Sequence, residues 1–72
     1  VMSDHHTYRK TEIVGSSKKS IEAAIENALA ECAKTVRHME WFEVTETRGH
    51  IVDGKLGHYQ VSLKVGFRVE GS

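Results

Sequence analysis

An α+β fold in β-α-β-β order is what this sequence predicts, with a three-stranded antiparallel sheet wrapped around one long amphipathic helix. Three observations carry that expectation. Apolar residues recur at three- and four-residue steps between Ile21 and Val36; an Asp53-Gly54 pair separates two runs that alternate at period two; and a shorter alternating run precedes the helical stripe.

The first strand is expected over residues 7–14, where β-branched and aromatic residues alternate with charges, as on a strand wet on one face. Gly15, Ser16 and Ser17 then supply a break and an N-cap. Ile21, Ala24, Ile25, Ala28, Leu29, Cys32, Ala33 and Val36 form one stripe, which reads as a helix of about five turns from Ser20 onward. Lys34, Arg37 and His38 fall at its far end, where cations suit the helix dipole, while Lys18 and Lys19 have the wrong sign for its start. Residues 41–52 and 56–70 are the second and third strands, and Asp-Gly between them is a hairpin signal.

Parity assigns the faces. Tyr59, Val61, Leu63, Val65, Phe67 and Val69 must pack on the helix, leaving Gln60, Ser62, Lys64 and Arg68 outward. Phe42 and Val44 are the inward pair of strand two, so Trp41, Glu43, Thr45 and Thr47 point away from the core. An outward tryptophan seals a subunit contact or binds a ligand, and a symmetric oligomer lets it do both. Strict alternation would turn Arg48 and His50 inward, a poor place for a guanidinium. A bulge near Gly49 would re-aim Arg48 toward Gln60; an Arg48 reaching the sheet edge to a neighbour's carboxylate is the alternative.

Seventy-two residues make a single domain, and chains this short seldom close a sufficient core alone. One cysteine cannot form an internal disulfide, so the expected remedy is association with further copies. Ten basic and ten acidic side chains cancel, which removes the general attraction to nucleic acid or to an anionic membrane. No apolar run reaches the ~18 residues of a membrane span, and the N-terminal stretch has no signal-peptide core; a cytoplasmic location is expected. Met2 reads as an initiator, and residues 1–6 as a tail, disordered or left from cloning, ahead of a domain over residues 7–70.

Chemistry of other kinds finds little support. His5, His6, His38, His50 and His58 lack metal-ligand spacing, although His50 and His58 flank the hairpin where a neighbouring subunit or a ligand would meet them. Cys32 lies on the apolar stripe and reads as a small buried hydrophobe rather than a nucleophile. Gly15-Ser16-Ser17 lacks the spacing and lysine of a phosphate loop, and Glu43 with Glu46 reads as a solvated surface rather than an acid/base pair. No catalytic residue is assigned and no enzyme activity is expected.

Four stretches carry a resemblance: Tyr8 to Ser17 (YRKTEIVGSS), Lys34 to Val44 (KTVRHMEWFEV), Arg48 to Ile51 (RGHI) and His58 to Arg68 (HYQVSLKVGFR). Together they span nearly the whole chain and resemble dodecin, a family of small flavin-binding proteins. The resemblance implies a hollow shell of twelve subunits built as trimers. It also implies two flavin rings stacked at a twofold axis between the Trp41 side chains of two subunits, with Gln60 bonding the polar ring edge and Arg48 near the ligand. FMN, or riboflavin, is the implied cofactor, with coenzyme A as a ligand of some members whose contacts map to no residue here. A structural shell, or a binder of coenzyme-A-type ligands, without a physiological flavin role is the alternative.

Overall fold

The computed structural model describes residues 5–71. β1 runs Tyr8–Ser17, α1 Ile21–Cys32, β2 Met39–Val52 and β3 Lys55–Arg68, and the three strands form one antiparallel sheet in the order β1-β3-β2. The predicted β-α-β-β order is therefore the observed one. Of the expected tail, residues 1–4 lie outside the described residues; His5 and His6 lead into β1, with the His6 ring edge-on to Tyr8 at 6.4 Å.

β3 holds the centre of the sheet because it pairs on both sides, and its inward residues form the floor of the core. Val61, Leu63 and Val65 are at most 1% exposed and meet Ala24, Ala28 and Cys32 of α1. Cys32 is a buried small hydrophobe, as its place on the stripe predicts. The helix approaches β1 closely at Gly15, where a Cβ would strike the Ala24 carbonyl and the Ala28 methyl. Small residues on both elements thus set the contact, and Ala at position 15 would push α1 off the sheet.

The helix is shorter than its stripe. It spans 12 residues, capped by Ser20, whose Oγ accepts from the Ala23 amide at 3.0 Å. β1 continues through Ser17, so Gly15 to Ser17 belong to the strand and not to a cap. Beyond Cys32 the chain makes one tightened turn, with the Thr35 and Val36 amides both bonded to the Cys32 carbonyl, before leaving the helix. The adjacent β-branched pair Thr35-Val36 weakens further propagation. Val36 nevertheless packs on the core, which is why it kept the helical rhythm. Lys34, Arg37 and His38 consequently lie past the helix and do not serve its dipole. His38 adopts a left-handed backbone (φ 63°), and it and Arg37 face Glu70 at 3.5 and 3.7 Å, tying this connection to the end of β3.

Asp53 and Gly54 both have positive φ, 53° and 77°, as a two-residue primed hairpin turn requires, so Lys55 already belongs to β3. The turn matches the right-handed strand twist and sets the register of the first two rungs, Val52–Lys55 and Ile51–Leu56, before a shift between Ile51 and His50 leaves Gly57 of β3 as the extra residue.

α1 packs on β1 and β3 and leaves the inner face of β2 uncovered. Phe42 and Val44 point inward, yet they remain 44% and 43% exposed. Ile51, Val52 and Leu56 at the hairpin tip are also exposed. The isolated chain therefore leaves open much of the apolar surface that its composition needs to bury.

Candidate functional site

The register places two clusters on the sheet face that turns away from α1. At one end are Tyr8, Trp41, Gly66 and Arg68; at the other are Arg48, Gln60, His50 and His58.

Trp41 pairs with Gly66 on β3, and the indole lies across that glycine. A Cβ built on Gly66 would sit at nearly equal distance from three adjacent ring carbons, Cε2, Cζ2 and Cη2, which is the geometry of an atom above the ring face rather than at its edge. Gly66 is thus the seat of the indole, and any larger residue would lift it. Tyr8 meets the ring edge-on, centroids 5.4 Å apart at 70°, and Lys10 Nζ reaches Glu43 at 2.9 Å on the neighbouring rung. With its ring braced on one face and along an edge, the residue Trp41 remains 37% exposed. It offers its other face to whatever approaches this side of the sheet.

At the opposite end Arg48 pairs with Gln60, and Arg48 Nε donates to Gln60 Oε1 at 2.9 Å. This side-by-side placement depends on a register shift between Val44 and Glu46, where Thr45 is the extra residue. Gly49 itself keeps regular pairing with Tyr59, and the irregularity next to it, between His50 and Ile51, falls on the hairpin side of Arg48. Thr45 Oγ1 donates to the Ser62 carbonyl at 3.2 Å and so helps satisfy the interrupted ladder. Because the shift comes at Thr45, Glu46, Arg48 and His50 turn outward while Thr47 turns inward opposite Val61, contrary to the simple parity reading for Thr47. Arg48 is brought to Gln60 rather than to a carboxylate at the sheet edge. Bonding through Oε1 leaves the Gln60 amide NH₂ as an outward donor. His50 and His58 stack directly beyond, ring centroids 4.4 Å apart at 24°.

The two clusters do not meet within one chain. Gly66 and Gln60 are six residues apart on β3, roughly 20 Å at the usual strand rise. Arg48 and Gln60 are together; Trp41 stands apart from both. A groove of about 220 Å³ opens near Trp41, lined by Leu29, Met39, Phe42 and Val65, but it lies on the helix side, where α1 leaves β2 uncovered. Among the described residues no three His, Cys, Asp or Glu side chains converge to hold a metal ion, and no helix is long and apolar enough to cross a membrane.

The dodecin family model matches residues 7–70. A dodecin of Thermus thermophilus is 54% identical over 63 residues, covering 88% of this chain and 91% of its own. The solved dodecin of Streptomyces coelicolor superposes with a TM-score of 0.90 at 48% identity, covering 97% of this chain and all of that one. That of Streptomyces davaonensis gives 0.88 at 46%, covering 94% and 98%. Solved variants of the T. thermophilus dodecin replace a tryptophan by phenylalanine and, 7 and 27 residues further on, an arginine by alanine. Trp41, Arg48 and Arg68 share that spacing. In the sequence Arg68 is one outward cation among several; only its pairing with Tyr8 brings it beside the tryptophan end. A family match along residues 7–70 and 54% identity over nearly all of a known member place the chain firmly: it belongs to the dodecins, a family of small flavin-binding proteins.

Proposed function

We propose that this chain assembles into a dodecameric shell in the cytoplasm that stores FMN as stacked pairs, and that it does so by binding without turnover. The single observation that carries the reading is the Trp41 indole, braced on Gly66 and Tyr8 and open on its other face. A large planar ring fits that surface: each stacked aromatic contact adds about 0.5 to 1.5 kcal/mol beyond area burial. FMN, once bound, supplies a redox-active and light-sensitive ring. An indole in contact with it is placed to quench the excited state.

The separation of the two clusters gives the site its form. A ring resting on Trp41 of one copy meets Gln60 and Arg48 of another, so the pocket is completed across a symmetry axis. Gln60 presents its amide NH₂ to the polar edge of the ring, and Arg48 holds that amide in place through the 2.9 Å bond. The uncovered inner face of β2 and the exposed hairpin tip supply apolar surface for the other contacts of the shell. Stacking of the ring between indoles also leaves no face open to a second substrate, which argues against a flavoenzyme.

Adding the protein to FMN and following flavin fluorescence tests the reading, with light scattering on the same sample. Quenching that saturates as the flavin fills the sites, on a particle of about twelve chains, is expected. Bright flavin in the presence of an intact large particle would favour the structural shell instead.

A further inference from the structure

We infer that Tyr8 is the electron donor that restores Trp41 after the indole has lost an electron. The two side chains come from β1 and β2 and meet over β3, which lies between them in the sheet. Their ring centroids are 5.4 Å apart at 70°, which is direct edge-to-face contact, so an electron passes between them without an intervening group. Tyr8 stands opposite Arg68 at the end of the sheet and is 41% exposed, which gives water access to the residue that must shed a proton. Within the chain no other easily oxidised side chain is placed as well. The second phenol, Tyr59, lies seven residues along β3 from the glycine beneath the indole, roughly 23 Å at the usual strand rise. The one thiol, Cys32, is buried on the helix side of the sheet.

The step balances between the pair and water. Trp41 gives one electron to an oxidant and its Nε1 proton to water. Tyr8 then gives one electron to the indole and its phenolic proton to water, while the indole nitrogen takes a proton back. The N–H bond of Trp41 is made again, the O–H bond of Tyr8 is broken, and one phenoxyl radical stands in place of one indolyl radical. At neutral pH a phenol is easier to oxidise than an indole, so the transfer runs in this direction. The oxidant is any one-electron acceptor that reaches the open face of the indole. Where it is the photoexcited ring of the function proposed above, the electron comes back from that ring to Tyr8 with a proton from water, and the indole is spared reaction with dioxygen. This use of the pair rests on the flavin-binding reading; the transfer between the two side chains does not.

Azidyl radicals formed by a radiation pulse in azide solution oxidise indole in preference to phenol, and Trp41 is the only tryptophan, so the flavin-free protein reports the transfer directly. In the parent the indolyl absorbance should decay while the phenoxyl absorbance grows, at one rate that does not change with protein concentration. In Tyr8→Phe, which keeps an aromatic ring beside the indole, that growth should be lost; in Tyr59→Phe it should match the parent. Indolyl decay without phenoxyl growth in the parent, or growth that survives in Tyr8→Phe, overturns the assignment. A second arm illuminates each protein with FMN in air and measures oxygenated Trp41 by peptide mass spectrometry. More of it in Tyr8→Phe than in the parent is expected. Equal amounts overturn the protective use of the pair, even where the radical transfer holds. A parent that neither binds nor quenches FMN removes the flavin reading, and the radical arm still decides the transfer.

Discussion

The two ends of the outer sheet face are built by different means. At the Trp41 end a large side chain is held by the absence of another: Gly66 opens a flat floor, and Tyr8 supports an edge. At the Arg48 end polar side chains hold one another, through a bond of 2.9 Å and an imidazole stack, and their alignment depends on one extra residue upstream. The first arrangement is steric and tolerates no added bulk. The second is a matter of register and tolerates changes of side chain better than changes of length. The two ends stand roughly 20 Å apart on one chain, and in the function proposed above that separation is why copies of the subunit share a site.

Four changes test that contrast, beginning with the most disruptive. Deleting Thr45 should remove the bulge and return Glu46 to Val52 to the opposite parity, turning Arg48 and His50 toward the helix side. A loss of about 3 kcal/mol in stability is expected, with failure to assemble. Thermal unfolding and light scattering would show it; an assembled variant with parental stability would mean that the register repairs itself elsewhere. Gly66→Val should lift the indole from its seat at a cost of about 1 to 3 kcal/mol and weaken FMN binding, while the Arg48–Gln60 pair stays in place. Parental FMN binding by this variant would show that the seat is dispensable. Gln60→Ala should cost about 0.5 to 1.5 kcal/mol in FMN affinity, with the bound flavin still dark because the stack survives. Bright bound flavin there would contradict the division of roles. The smallest effect belongs to Lys10→Gln. The Lys10–Glu43 pair has side chains 49% and 47% exposed, so its removal should change stability by less than about 1 kcal/mol and FMN affinity hardly at all.

The contrast also explains which parts the sequence made legible. Between Trp41 and Val44 the strand alternates without interruption, so parity alone puts the tryptophan outside the core. The Asp53-Gly54 turn was equally readable, because few residue pairs adopt positive φ at adjacent positions. The bulge was not. Thr45 sits in a Thr-Glu-Thr run with no local breaker, whereas Gly49 looks like one and pairs regularly. Arg48 reaches Gln60, one of the two placements its sequence context allows, through a shift four residues earlier than Gly49. The apolar stripe outruns the helix for a related reason: Val36 still faces the core after the chain has left the helix, and periodicity cannot distinguish the two cases. That α1 leaves β2 uncovered, and that Trp41 lies far from Gln60, are facts of three-dimensional placement that no local pattern contains.

Everything proposed about function turns on the open face of the Trp41 indole. Titrating FMN with the parent and with Trp41→Ala, and following flavin fluorescence, addresses it directly. In the proposed site symmetry gives each stacked pair two indoles, so the variant should lose about 1 to 3 kcal/mol, on the order of tenfold to a hundredfold in affinity, and the flavin that does bind should fluoresce more brightly. Binding and quenching by Trp41→Ala at parental levels would contradict the account, because the ring would then rest somewhere other than on Trp41.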